Sequence, residues 1–353
     1  MKQVDFDAIS KNFEYFWNNE YFGRCAVWIT APRSRNSVEF PRPETPEDLV
    51  REWTCGEWIL KKNRIWAENT YYRGEAYPQI ILNLGAAGHA GFFNKSRFQF
   101  AENTIWFFPL DEGEKLVFSK DTFLYKATVD LARYLADNSN GEFIISMSDC
   151  CGNADALAHL RGSEQLLVNM LDDPDTVKKE LAVMETAWEE ITRDVYRAVK
   201  DNNRGGSSIG WMGTYARGLH AQMQSDMAVM LSPDQFREFI LDELVRQSDV
   251  LEYPCYHLDG REQMRHIDML LGIEKLRMIQ YTFVAGQPSP LEQLDALKRI
   301  QRGGKLLLLF LDPRDIKPIL ENLSARGLFI HTWCDDPEDA ERVFKLVQEY
   351  SRE

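Results

Sequence analysis

Short apolar runs recur along the chain at residues 25–30, 79–84, 143–147, 208–212, 220–224, 253–258, 278–284, 305–311 and 328–333, separated by longer stretches with apolar residues at helical spacing. Strand-length runs alternating with helical patterns mark β/α units around a parallel sheet. Nine runs are one more than an eight-stranded (β/α) barrel needs, so the pattern predicts a (β/α)8 TIM barrel with one run as an excursion. The run KLLLLFL at 305–311 is apolar after its first residue, which fits a parallel strand covered on both faces. Ahead of the first run, Phe6, Ile9, Phe13, Phe16 and Trp17 fall on one face of a helical period. They predict an amphipathic N-terminal helical extension lying across one end of the domain.

Helix starts are marked by local chemistry. Ser232-Pro233-Asp234, Asp173-Pro174-Asp175 and Asp336-Pro337-Glu338 each place a capping side chain before a proline and an acid, the arrangement helix N-termini favour. The second opens a long helix reaching about residue 201, with Val177, Leu181, Met184, Trp188 and Ile191 as its apolar stripe. The stretch 32–46 has little periodicity and reads as a loop over one mouth of the barrel. No internal repeat or low-complexity linker interrupts the pattern, so residues 1–353 read as one domain.

Composition narrows the classes. A chain of 353 residues, 44% hydrophobic and 27% charged, is ample for a large core. A formal charge of -14 argues against a nucleic-acid footprint or an anionic membrane surface, both of which need basic patches. The opening residues lack the uninterrupted apolar stretch of a secretory signal, and no run approaches the ~20 apolar residues of a membrane span. Six cysteines without scaffold-like spacing suit free thiols in a reducing compartment, or metal ligands. The expected location is the cytoplasm.

Barrels of this kind carry their chemistry at the C-terminal ends of the strands. The segment YHLDG at 256–260 reads as a strand entering a glycine turn, with His257, Asp259 and Cys255 on one face because side chains two apart on a strand point the same way. The run GLFIHTWC at 327–334 ends in Cys334, and in one barrel His257, Asp259 and Cys334 would meet. Nitrogen, oxygen and thiolate donors together suit zinc with a free fourth position. The alternative is that Asp259 caps the turn at Gly260, His257 hydrogen-bonds to it, and Cys334 is a small hydrophobe. Asp149 and Asp312 read as caps, and the adjacent Cys150 and Cys151 as packing residues. His266 falls on a helical run, while His331 faces away from Cys334. The glycines of GAAGHAG at 85–91 do not follow the dinucleotide fingerprint. Trp106, Trp211 and Trp333 are candidates for lining a pocket.

These residues resemble the uroporphyrinogen decarboxylase-like superfamily, and specifically its cobalamin-dependent methyltransferase relatives. The resemblance rests on residues 218–240 (GLHAQMQSDMAVMLSPDQFREFI) and 256–271 (YHLDGREQMRHIDMLL), with RCAVW at 24–28, TIW at 104–106, LRG at 160–162 ahead of DDP at 172–174, and GLFI at 327–330. It implies a barrel with a deep cleft at its C-terminal mouth, and a zinc ion held by a His-x-Cys pair and a distal cysteine. On this pattern His257 matches the histidine and Cys334 the distal cysteine. Asp259 stands where the first cysteine would be, which makes the zinc a stronger Lewis acid. The decarboxylase branch matches less well: in place of its arginine-rich run and aspartate this chain has TAPRSR at 30–35, with Arg33 and Arg35 in shifted register, and Asn83.

The expectation is therefore a methyltransferase moving a methyl group between a small ether, amine or thiol substrate and a cobalamin carried by a partner corrinoid protein, since this chain has no corrinoid motif of its own. His257 and Asp259 are the expected catalytic pair, His257, Asp259 and Cys334 the expected zinc ligands, and Asp226 and Tyr281 the expected substrate contacts. The alternatives are a metal-independent lyase of the decarboxylase type, using His257 and Asp259 as acid and base, and a ligand-binding barrel without catalysis.

Overall fold

The structure is a computed structural model and describes residues 4–34, 40, 43–282 and 289–353. Its strands are β1 (Ala26–Pro32), β2 (Thr70–Gly74), β3 (Gln79–Ile80), β4 (Arg97–Phe100), β5 (Ile105–Phe108), β6 (Ile144–Ile145), β7 (Ser207–Ile209), β8 (Thr214–Ala216), β9 (Gln222–Gln224), β10 (Cys255–Asp259), β11 (Met278–Thr282), β12 (Leu306–Phe310) and β13 (Leu328–Trp333). The main sheet runs β2-β1-β13-β12-β11-β10-β9, parallel except for β2, which pairs antiparallel with β1. A second parallel pair joins β3 to β6, and the Met147 N–H donates to the Ser208 carbonyl at 2.8 Å, linking the end of β6 to β7. The architecture is thus mixed α/β with a mostly parallel central sheet, and these ladders do not by themselves close it into a ring. All nine expected runs contain strands, most of them shorter than predicted. The expected run 278–284 ends at Thr282 within the described residues, and Val284 lies outside them, as does Arg35.

Side-chain parity divides the sheet into two faces. Ala26, Trp28, Cys255, Met278, Leu306, Leu308 and Phe329 pack together on one. Val27, Ile29, Tyr256, Leu258, Ile279, Tyr281, Leu307, Leu309, Leu328 and Ile330 face the helical layer on the other. Both faces are buried, so each strand is apolar nearly throughout, as parallel strands between layers must be. The helix Phe6–Trp17 covers the end at which the strands begin. Phe6, Phe13, Phe16 and Trp17 join the first cluster, and the Trp17 Nε1–H donates to the Tyr215 carbonyl at 2.8 Å. The expected extension across one end is therefore present.

Behind it sits a buried ion pair. Arg24 grips Glu75 through both guanidinium ends, at 2.6 and 2.8 Å. Glu75 also accepts from the Val27 N–H at 2.7 Å and from the Asn12 amide at 2.9 Å, so its fully buried carboxylate ties β1, the turn after β2 and the first helix together.

The predicted caps are in place at Asp173, Ser232, Asp312 and Asp336. The run after Ser232 is broken at Ile240 into Pro233–Phe239 and Leu241–Val250. At the last helix, Pro337–Tyr350, the Asp336 carboxylate accepts from the Asp339 N–H at 2.9 Å. Asp336→Ala should lower stability by about 1 kcal/mol, the usual cost of losing such a cap, read from the urea midpoint at unchanged slope. Among the described residues, no helix is long and apolar enough to cross a membrane.

Candidate active site

His257 and Asp259 project from the C-terminal end of β10 on the same face, as their spacing requires. The strand stops at Gly260, whose φ of +74° is open to glycine at little cost and whose N–H donates to the Thr282 carbonyl at 2.8 Å. Asp226 arrives from the loop after β9 and opens a short 3-10 turn, Asp226–Met230. One ligand-type atom from each of Asp226, His257 and Asp259 lies within 4.8 Å of the others, the one grouping of this kind among the described residues.

The imidazole is oriented from behind. Gln280, directly opposite His257 in the β10–β11 register, takes His257 Nδ1 against its Oε1, while the Gln280 amide nitrogen donates to Thr282 Oγ1 at 2.5 Å. An amide oxygen accepts only, so Nδ1 is the donor in this contact and Nε2 is the ring nitrogen left for a ligand. Asp226 is held by one oxygen: Oδ2 accepts from Gln224 Nε2 at 2.8 Å, while Oδ1 is buried with no partner among the described residues. Asp259 is half-buried, and burial raises its carboxyl above the usual range, opposed by the nearby His257. Two carboxylates and an imidazole, with one buried carboxylate oxygen lacking a partner among the described residues, fit a divalent cation, because a buried acceptor left without a donor is costly unless something positive completes it.

The hydrogen-bond chain continues away from Asp226. Gln222 Nε2 donates to Gln224 Oε1 at 3.1 Å and to Asp149 Oδ1 at 2.6 Å, and Gln222 Oε1 accepts from Trp211 Nε1 at 2.5 Å. Asp149 is therefore a member of the cleft and not the cap that its position suggested; burial pushes its carboxyl up to about 6. Trp211 presents its edge to the His257 ring, with centroids 5.0 Å apart, and stacks on Phe310, which stacks in turn on Trp333. His331 lies beside Phe310 and Trp333, its Nδ1 facing the Met212 carbonyl, and burial lowers its pKa to about 3, so it is neutral.

The structure does not bring every expected residue here. Cys334 does not join His257 and Asp259. It continues the parity of Thr332 and Ile330, packs in the helical-side core and lies in hydrogen-bonding contact with Asp339 of the last helix. Burial and the adjacent Asp339 push its thiol up to about 12, the opposite of what a thiolate ligand needs. Cys334→Ala should accordingly leave metal content unchanged within error by elemental analysis. Tyr281 also faces the helical side, because Gln280 and Thr282 hold the cleft-facing positions of β11, so it is not placed to contact substrate. Asp226, expected as a substrate contact, stands instead as the third member of the carboxylate–imidazole group. Trp211 lines a small cavity with Asp149 and Gln222, Trp333 is exposed and reaches it through Phe310, and Trp106 lies on the separate β4–β5 hairpin. His266 is buried by stacking on Phe236, and Cys150 and Cys151 are buried packing residues.

The role of Gln280 was signalled only as far as its place in an apolar run; its pairing with His257 is set by the β10–β11 register. That of Gln224 was not signalled, because an amide two residues before an aspartate has no distinguishing spacing.

No family model matches the sequence, and no curated protein matches it. Among solved structures, the chain is similar to a methyltransferase from Methanosarcina mazei at a TM-score of 0.61 and 11% identity, over 97% of this chain and 98% of that one. At that identity the likeness is one of fold, and it extends over nearly the whole of both chains.

Proposed function

We propose that this chain is a methyltransferase that transfers a methyl group between a small methylated substrate, of ether, amine or thiol type, and a corrinoid carried by a separate protein. Eight of the nine predicted runs then form one (β/α)8 barrel, with the ninth an excursion and the cleft at the barrel's C-terminal mouth. The observation that carries the reading is the convergence of Asp226, His257 and Asp259 at the strand ends of a chain that shares a methyltransferase's fold along its length. The corrinoid partner is supported by the sequence resemblance.

Zinc is the proposed metal, held by His257 Nε2 and by one oxygen each of Asp226 and Asp259; when bound, it would polarise the heteroatom from which the methyl group leaves. Oxygen donors give less charge to the metal than thiolates do, which favours ether or amine donors over raising the nucleophilicity of a thiol. The protein's own part is positional. Gln280 fixes the imidazole's tautomer and direction, Gln224 fixes one Asp226 oxygen and leaves the other without a partner among the described residues, and the Trp211, Phe310 and Trp333 rings give the substrate an apolar wall.

The test has two parts. Elemental analysis of purified protein should find about one divalent metal per chain, lost in His257→Ala. Mixed with a reduced corrinoid protein and a panel of methyl ethers, amines and thioethers, the enzyme should convert the cofactor's absorption to that of its methylated form. Metal-free protein that releases carbon dioxide from a carboxylated substrate would overturn this reading in favour of the lyase. Protein inert toward both panels would leave the ligand-binding barrel.

A further inference from the structure

We infer that Asp155 is the positioning residue of this site, a buried carboxylate that sets where Asp226 stands. Asp155 is the third residue of the helix Asn153–Arg161, and its Oδ2 accepts from the Gly152 N–H at 3.0 Å, an ordinary capping contact. The same carboxylate reaches across to the loop after β9. Oδ2 also accepts from the Asp226 N–H at 2.8 Å, and Oδ1 accepts from the Met227 N–H at 2.7 Å. Three backbone donors from two chain segments thus converge on one side chain that is 9% exposed.

This approach is built into the backbone. A Cβ on Gly152 would lie 2.2 Å from the Gln224 carbonyl oxygen and 2.6 Å from Asp155 Oδ2, so only glycine lets the helix start this close to the end of β9. A second tie holds the same loop: Gln263 Nε2 donates to the Ser225 carbonyl at 2.9 Å, while its Oε1 accepts from Tyr256 Oη at 3.0 Å. The backbone of Asp226 is fixed by Asp155 and its Oδ2 by Gln224, so the direction of the unpartnered Oδ1 is determined by groups that never touch a ligand. An asparagine at 155 keeps the volume but replaces one acceptor oxygen with an N–H2 pointed at backbone N–H groups, so the loop cannot keep its place.

The inference rests on the proposed cation site, and its test separates the two. Co2+ is titrated into metal-stripped wild type, Asp155→Asn, Asp226→Asn and the double variant, following its visible absorption. Asp155→Asn should weaken Co2+ binding by about tenfold or more and change the band shape, as losses behind a ligand do. In the Asp226→Asn background the same change should add almost nothing, because its effect passes through Asp226. Wild-type affinity and spectrum in folded Asp155→Asn, or fully additive losses, would overturn the inference. Amide exchange of the unsubstituted protein judges it without metal or variants. The Asp226 and Met227 N–H groups should be protected as strongly as those of β10, and exchange at loop rates would overturn it even if Asp155→Asn does not fold. Failure of the wild type to bind Co2+ with both amides protected would overturn the cation site and uphold the positioning.

Discussion

His257→Ala should reduce divalent metal affinity by about 100-fold or more and take the proposed methyl transfer down with it. The imidazole is the only nitrogen donor in the group, and its loss leaves two carboxylates that must repel one another unless one takes up a proton. The companion change Gln280→Ala removes only the acceptor that orients Nδ1, and should cost 10- to 100-fold, the range typical of groups one step behind a ligand. The order of the two losses is the informative result. Isothermal titration of zinc into stripped protein measures it, and equal losses would mean that Gln280 ligates directly or that His257 does not ligate at all. Both side chains are buried in the middle of their strands, so thermal unfolding measured alongside separates lost ligation from lost stability.

Arg24→Met should destabilise the fold by about 3–5 kcal/mol, the scale seen when one partner of a buried ion pair is removed. Glu75 has no exposed surface, and Arg24 supplies two of its hydrogen bonds. Methionine keeps an apolar stem but not the guanidinium, and leaves a carboxylate facing, among the described residues, only the Val27 N–H and the Asn12 amide. Urea unfolding should show the loss as a fall in midpoint with little change in slope. The reciprocal Glu75→Gln should lose less, because the amide keeps an acceptor for Val27 or Arg24 and removes the buried negative charge. A loss under about 1 kcal/mol in Arg24→Met would show that water reaches the pair.

The long apolar strands were legible in the sequence because each is five to seven residues of nearly unbroken hydrophobicity. The strands of two or three residues are too short to carry any period, and β2, half-exposed at every position, has no alternation to read. The same property that made the sheet visible hid part of the site. In LFIHTW and MIQYT almost every position is buried, so parity separates His331 from Cys334, and Gln280 from Tyr281, without saying which of each pair faces the cleft. YHLDG gave its answer because its polar residues fall two apart. Asp226 was visible as a residue at a strand end but not as a partner of His257. Its place depends on Asp155, 71 residues away in the chain, and local pattern holds no record of a contact at that range.

The pairing of β1 with β13 bears on how the protein is made. The first long strand takes its parallel neighbour from a segment near the other terminus, and the Cys25 N–H donates to Ser351 Oγ across 326 residues of sequence. During synthesis at ~5–20 residues per second, β1 would wait tens of seconds for that neighbour, with its apolar faces and one hydrogen-bonding edge unprovided for. The antiparallel strand β2 can cover its other edge early, since the chain between them is short and loop closure is cheap. The nascent chain therefore meets its most aggregation-exposed interval before β13 emerges, so slower translation of the segment between the two strands should lower the yield of folded protein.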